Sequence, residues 1–262
     1  MKVSDILAYM EQLAPSYMKM DWDNVGLLCG DPDQQVTKIL VALDPFEDTV
    51  REAQEIGAQL VLTHHPLIFR PCKSVTESDP VGKTLRLLIQ HDISAINAHT
   101  NLDCAPGGVN DVLAERLNLK NVVVVNPQGE DAQGRPWGLL RKGITEGKTL
   151  EEFLKTVKEN LGCPGLRYVS GGKPVRNVAV GGGACGSEMM DAVRAGCDTF
   201  VTSDLKYNQF WDAQDMGLNL IDAGHFYTEN PVCTMLKEAM EEKFPEITTV
   251  ISKKHGDCMK FF

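Results

Sequence analysis

The chain has 262 residues, a length that one large domain or two modest ones with separate cores can fill. Hydrophobic residues make up 43% and charged residues 24%, which excludes a disordered or collagen-like chain. A formal charge of -10 and a pI near 5.1 argue against general nucleic-acid binding, which rests on Lys and Arg neutralising phosphates.

In chain order, residues 1–17 place Val3, Ile6, Leu7, Met10 and Leu13 at helical spacing, and predict an amphipathic helix capped by Ser4. With Asp5 and Glu11 in it, this segment lacks the basic start and unbroken apolar core of a signal peptide. No later apolar run is long enough to span a bilayer, so the expected location is the cytoplasm, with no membrane partner. From about Lys38, short apolar runs alternate with helical patterns: strand 39–43, helix 48–57, strand 60–62, helix 81–90 and strand 93–98. A helix at 109–117 and a strand at 122–125 follow. This alternation predicts a mostly parallel sheet with helical crossovers. The Pro- and Gly-containing stretch 126–136 breaks the pattern and reads as a domain boundary. A second set then runs through helix 150–160, strand 175–180, helix 188–195, strands 199–202 and 218–221, and a long closing helix 229–243. The expectation is an α/β fold of two modules with mostly parallel or mixed sheets.

Eight cysteines are scattered with no Cys-x-x-Cys pair and read as reduced thiols. Histidine is more informative. The adjacent pair His64-His65 ends the run Leu60-Val61-Leu62-Thr63 and is followed by Pro66. Strand alternation sends neighbours to opposite faces, so both rings reach one place only if the chain leaves β geometry there. Pro66 removes a ladder donor and restricts His65, so the strand is expected to stop near Thr63. Taken alone, the pair also fits a polar loop.

Ligands of open α/β sheets collect beyond the carboxyl ends of strands. His99 and Asp103 follow strand 93–98, and Asp222, His225 and Glu229 follow strand 218–221. If His64, His65, Asp103, His225 and Glu229 converge and Glu229 bridges, two divalent ions can each have three protein ligands and still bind water. Imidazole with carboxylate is the mixture for Zn, Mn or Fe. His99 then has a catalytic reading, as proton shuttle or as a group orienting a ligand, beside a structural one of similar weight. Glu229 is read as bridge and catalytic residue, although acids in a first helical turn also serve as dipole partners. Asp44 and Asp222 are alternative ligands for which capping and turn roles weigh more, and Asp23-Asn24-Val25-Gly26 reads first as a turn. His91 reads as a helix-terminal cation and His255 as a surface residue.

One competing motif is Gly181-Gly182-Gly183-Ala184-Cys185-Gly186, which satisfies G-x-G-x-x-G after a strand and before a helix, with Asp204 where a ribose-binding acid belongs. It leaves a dinucleotide-binding oxidoreductase open, below the metal site. The same helix N-terminus could hold a substrate phosphate.

With these clusters assembled, the chain resembles the GTP cyclohydrolase I type 2 homolog family, also called NIF-three-like dinuclear-metal proteins. The motifs that carry the resemblance run nearly end to end: Asp21-Trp22-Asp23-Asn24-Val25-Gly26-Leu27, Thr63-His64-His65-Pro66-Leu67-Ile68-Phe69, Ala98-His99-Thr100-Asn101-Leu102-Asp103, the run Gly181-Gly182-Gly183, and Gly224-His225-Phe226-Tyr227-Thr228-Glu229. The resemblance implies that His64, His65, Asp103, His225 and Glu229 hold two divalent ions in a cleft between two α/β domains. It implies a first domain of residues 1–126 completed by 226–262, a second of 127–225, no inserted third domain, and a ring-shaped homohexamer. Asn208 stands where relatives commonly have histidine, and Ser203 where they commonly have glycine. The family name implies opening of GTP with formate release, yet the chain carries no Walker-type loop or specific guanine reader. The functional expectation is a metal-dependent hydrolase acting on a nucleotide or another phosphate-bearing or cyclic amide substrate. A metal carrier or regulatory assembly without turnover is the alternative from a different class.

Overall fold

The computed structural model describes residues 1–260, which form two compact units: residues 1–102 with 232–258, and residues 103–231 with 259–260. Both are α/β, one sheet largely parallel and the other mixed. Among the described residues no helix is long and apolar enough to cross a membrane.

The first unit opens with helix Val3–Leu13, which buries Val3, Ile6 and Met10. Ser4 does not cap it. The cap is Lys2, whose backbone N–H donates to the Asp5 carboxylate at 2.8 Å. Four strands follow: β1 (Gly26–Cys29), β2 (Lys38–Ala42), β3 (Leu60–Thr63) and β4 (Ser94–Asn97). β2, β3 and β4 run parallel, and β1 adds antiparallel to β4. Nearly every side chain of β2 to β4 is buried, which is why β2 and β3 read as near-continuous apolar runs rather than alternating ones, while β4 buries Ser94 and Asn97 along with Ala95 and Ile96. Helices Glu47–Ile56 and Pro80–Gln90 complete the crossovers. The first ends at Gly57, in the left-handed region at φ 67°. The second begins at Asp79, whose carboxylate accepts from Gly82 N–H at 2.7 Å ahead of Pro80. His91 is its C-terminal cap residue.

The sheet is completed from far away in sequence. Strand Thr248–Ile251 pairs parallel with β2, and helix Val232–Lys243 precedes it. The closing helix does not begin at Glu229, because Pro231 separates Val232–Lys243 from a short helix, His225–Glu229. Beyond the strand, Glu52 receives the chain: its carboxylate accepts from the Ser252 hydroxyl, from Lys253 N–H at 2.9 Å and from Lys254 N–H at 3.1 Å. His255, expected at the surface, is only partly exposed, and its Nδ1–H donates to Ser252 O at 2.9 Å. Burial works to raise the Glu52 carboxyl, but these donors outweigh it and hold it below 4.5. A folded-state value below the unfolded one stabilises fully above pH 4.5, and that contribution is lost as pH falls through the folded value. Glu52→Gln is therefore expected to cost about 2 kcal/mol at pH 7, the scale of hydrogen bonds to a charged group. In urea unfolding the gap from wild type should narrow at pH 3; an unchanged gap would disprove the electrostatic attribution.

The second unit carries β5 (Lys120–Val125), the short hairpin β6 (Gly129–Glu130) and β7 (Pro136–Trp137), β8 (Leu140–Lys148), β9 (Arg167–Val169), β10 (Val175–Val180), β11 (Thr199–Thr202) and β12 (Asn219–Asp222). Its main sheet runs in the order β5, β8, β10, β11, β12, β9, with only β10, β11 and β12 mutually parallel. Alternation puts Val178, Val180, Val201 and Ile221 on one face, under helices Val109–Arg116 and Leu150–Leu161. Ala179, Phe200 and Leu220 face the other way, toward Met189–Arg194 and Tyr207–Asp215.

The units divide after Leu102 and after Pro231, not within 126–136. That stretch contains the β6–β7 hairpin, and β5 before it pairs with β8 after it, so the sheet holds it inside the second unit. Residues 103–126 and 226–231, read from sequence as first-domain, belong to the second unit. Buried Arg141 secures this segment. Its guanidinium pairs with Asp111 at 2.8 Å and donates to Cys104 O and Ala105 O at 3.2 and 3.0 Å.

Candidate metal centre

In the first unit, β2, β3 and β4 end in register at Ala42, Thr63 and Asn97, so the residues just beyond them share one sheet edge. These are Asp44, His64, His65 and His99. β3 stops at Thr63, as Pro66 requires. There His65 N–H donates to Leu43 O at 2.9 Å and the Thr63 hydroxyl to His65 O at 2.8 Å. This turn defeats the strand alternation. The two rings lie 4.9 Å apart by centroid, and His99 is 5.2 Å from His64 and 5.6 Å from His65. One ligand atom from each of the three lies within 4.8 Å of the others. His99 thus stands beside the pair rather than behind it.

Each of these rings is oriented by an oxygen at Nδ1. His64 Nδ1–H donates to Ala98 O at 2.9 Å, His65 to Asp44 Oδ1 at 2.7 Å and His99 to Asp23 Oδ1 at 2.8 Å. A carbonyl oxygen can only accept, so the proton of a neutral His64 sits on Nδ1. Asp23 is buried and also accepts from Thr100 N–H at 3.0 Å. Burial pushes its carboxyl up, but the hydrogen bonds from His99 and Thr100 prevail and hold it at about 2. Asp23, read from sequence as part of a turn, is a partner of His99 instead.

The second unit repeats the arrangement. β10, β11 and β12 are in register, so the glycine run, Asp204 and His225 emerge at one edge. His225 and Glu229 stand four residues apart in a short helix, with His225 Nε2 2.9 Å from Glu229 Oε2. The other nitrogen, Nδ1, donates to Asp204 Oδ2 at 2.8 Å. Burial works against a charged His225, but Asp204 and Glu229 outweigh it and raise the ring to about 11. Asp204 reaches this position from the left-handed region, φ 54°. Asp103 and Glu229 are both buried, and their carboxylate oxygens lie within 4.8 Å of each other. Asn110, fully buried, donates to Asp103 O at 3.1 Å and accepts from Gly182 N–H at 2.7 Å, stitching the Asp103 segment to the glycine run.

That run does not have a dinucleotide-binding loop's chemistry. Its backbone donors are committed within the protein: Gly182 N–H to Asn110, and Gly183 N–H to the Thr228 hydroxyl at 3.0 Å. Asp204 serves His225 rather than a ribose, and the helix that follows, Met189–Arg194, has only six residues. The glycines instead permit close approach. A Cβ on Gly183 would lie 2.1 Å from Glu229 Oε1 and 3.2 Å from His225 Nε2, and Gly183 has φ 64°. Cys185 contributes no thiolate, since burial and neighbouring acids push its thiol well above 9.0. Asp222 has the turn role: its carboxylate accepts from Arg167, Leu205 N–H and Gly224 N–H. Asn208 is exposed, with Asp212 3.4 Å away as its hydrogen-bond partner.

In the sequence Asp44 reads mainly as a capping or turn residue, and nothing local marks it or Asp204 as a histidine partner. Their positions after parallel strands are the one signal that could have found them. Residues 1–257 match the family described as Duf34/NIF3 (NGG1p interacting factor 3). A Clostridium perfringens protein named GTP cyclohydrolase 1 type 2 homolog is 35% identical over 263 residues, with 100% of both chains covered. A Streptomyces coelicolor protein of the same name is 37% identical over 261 residues, covering 97% of this chain and 88% of its own. The crystal structure of a Staphylococcus aureus protein matches with a TM-score of 0.92 at 31% identity, covering 100% of this chain and 99% of that one. The chain belongs to the Duf34/NIF3 family, in which relatives along its full length carry the name GTP cyclohydrolase 1 type 2 homolog.

Proposed function

We propose that His64, His65, Asp103, His225 and Glu229 hold two divalent ions, and that the chain is a metal-dependent hydrolase. One observation carries this reading: His64, His65 and His225 each turn Nδ1 to a fixed oxygen acceptor. A neutral imidazole that donates from Nδ1 offers its Nε2 lone pair to a metal, and such outer partners fix both tautomer and ring orientation; at His225 a bound ion would take the place of the proton that Nε2 now shares with Glu229. The donor set fits the group. Three imidazoles with two carboxylates suit Zn, Mn or Fe, and two buried carboxylates with oxygens within 4.8 Å are like charges that a dication compensates. Glu229, close to both Asp103 and His225, would be the ligand shared by the two ions.

Bound ions would supply an activated water at neutral pH and Lewis acidity toward the substrate. The chain's own residues do the rest. Asp44 and Asp204 hold two ligand rings in place, and the Gly183 turn keeps the Glu229 carboxylate where it is. His99, anchored at Nδ1 on an ionised Asp23, is placed to accept or return a proton at Nε2.

Elemental analysis after purification without chelator or added metal should give two divalent ions per chain. Fewer than one, not recovered on reconstitution, would overturn the two-ion site. The names of the relatives make GTP the first substrate to test, by formate release from metal-loaded protein. No formate would remove the cyclohydrolase reading while leaving the site, and freely exchanging metal with no turnover on any phosphate ester or cyclic amide would favour a carrier.

A further inference from the structure

We propose that Trp22 and Phe69 form a platform for a planar aromatic ring of the substrate and so set its specificity; this rests on the metal-dependent reading above and names the class of molecule that the site takes. The two rings are 61% and 47% exposed, so both present a face to solvent. Their centroids are 5.7 Å apart at an interplanar angle of 68°. Each is also 6.2 Å from His99, whose ring touches the His64–His65 pair. The exposed aromatics are therefore one imidazole away from the candidate ligands, all within the first unit.

Both rings are held rather than left to wander. Asp23, next to Trp22, is fixed by His99 and Thr100, and Asn24 Nδ2–H donates to Ile68 O at 2.7 Å, tying the Trp22 segment to the residue before Phe69. Residues 64–79 join β3 to the next helix as a loop with no regular structure, and such long connections in compact domains are usually functional. At 68° the rings cannot stack on each other, and a third ring can lie offset on one and meet the edge of the other. Size decides the occupant. Two partly exposed aromatics offer roughly 150–250 Å², against about 800 Å² per partner in a stable protein interface, so the pair matches one ring system rather than a macromolecule.

The test uses the full chain with Trp137 and Trp211 replaced by Phe, leaving Trp22 as its only indole. Guanosine, uridine and riboflavin are titrated by calorimetry and by Trp22 fluorescence, with ribose as the control that lacks a ring. At least one ring compound should bind and quench Trp22. Trp22→Ala should weaken that binding on the order of 10- to 100-fold, the scale of one base stacked on an aromatic, and Trp22→Phe should restore most of it. Metal content should be unchanged in both variants. Metal-loaded protein that binds none of the three, or binds them equally after Trp22→Ala, overturns the platform. Loss of metal in Trp22→Ala also overturns it, by making Trp22 a support for His99. Protein that holds no metal yet binds a ring through Trp22 would instead sink the metal reading and leave the platform standing.

Discussion

Glu229→Gln is expected to leave the fold intact and reduce bound metal from two ions per chain to one or none. Among the five proposed ligands only Asp103 and Glu229 bring negative charge, so two dications are already short of compensation. A unit charge acting on another 4 Å away is worth about 4 kcal/mol at an effective dielectric near 20. Since 1.4 kcal/mol is tenfold, the second ion should bind about 10³-fold more weakly. Glutamine preserves shape and the nearby helix, so thermal unfolding without added metal should move by only a few degrees. Elemental analysis beside a melting curve separates the outcomes. A variant that still carries two ions would remove Glu229 from the site, and one that unfolds would show a structural role for the charge.

Gly183→Ala should produce a similar loss of metal by a different route. The added Cβ falls 2.1 Å from Glu229 Oε1 and 3.0 Å from its Cδ, well inside contact distance. The backbone cannot yield easily, because Gly183 N–H is bound to Thr228 and its carbonyl accepts from Thr202 and Ser203. The residue also sits at φ 64°, where an L side chain costs roughly 1–2 kcal/mol. The Glu229 carboxylate must therefore swing away from Asp103 and His225. The expected result is a stability loss of about 1–2 kcal/mol in urea, with metal retention falling at least 100-fold. Gly134→Ala is the control: it has φ 73° and open space around it, so it should show the backbone cost without the metal loss. Equal metal content in the two variants would mean that Gly183 is only a turn.

The sequence made the parallel strands legible because buried β2 to β4 and β10 to β12 are short apolar runs closed by polar residues, and the histidines stand at their ends. What escaped was decided by distant partners. β8, nine residues of mixed polarity from Leu140 to Lys148, shows no clean alternation because it is paired on both sides and half exposed. Helix Tyr207–Asp215 leaves little apolar pattern in the sequence because it buries little beyond Ala213. The same holds for the site. Histidines announce themselves by rarity, six in the chain, but the aspartates that orient them do not, among thirty-six acids. Asp23 and His99 are 76 positions apart, and only folded strands bring such a pair together. The glycine run looked like a phosphate cradle because local sequence cannot tell whether its N–H groups face a ligand or neighbouring side chains.

The parallel pairing of Thr248–Ile251 with β2 also bears on how the protein is made. The apolar edge of β2, Lys38-Ile39-Leu40-Val41-Ala42, leaves the ribosome some 200 residues before its partner. At about 5–20 residues per second, that edge waits on the order of 10–40 s. Residues 103–231, continuous in sequence, can finish folding in that interval, while the N-terminal unit stays open along one side. An unpaired strand edge of this kind is a template for joining another chain. Premature termination anywhere before Thr248 would leave that edge permanently uncovered, so truncated products should be found in aggregates rather than as partly active fragments.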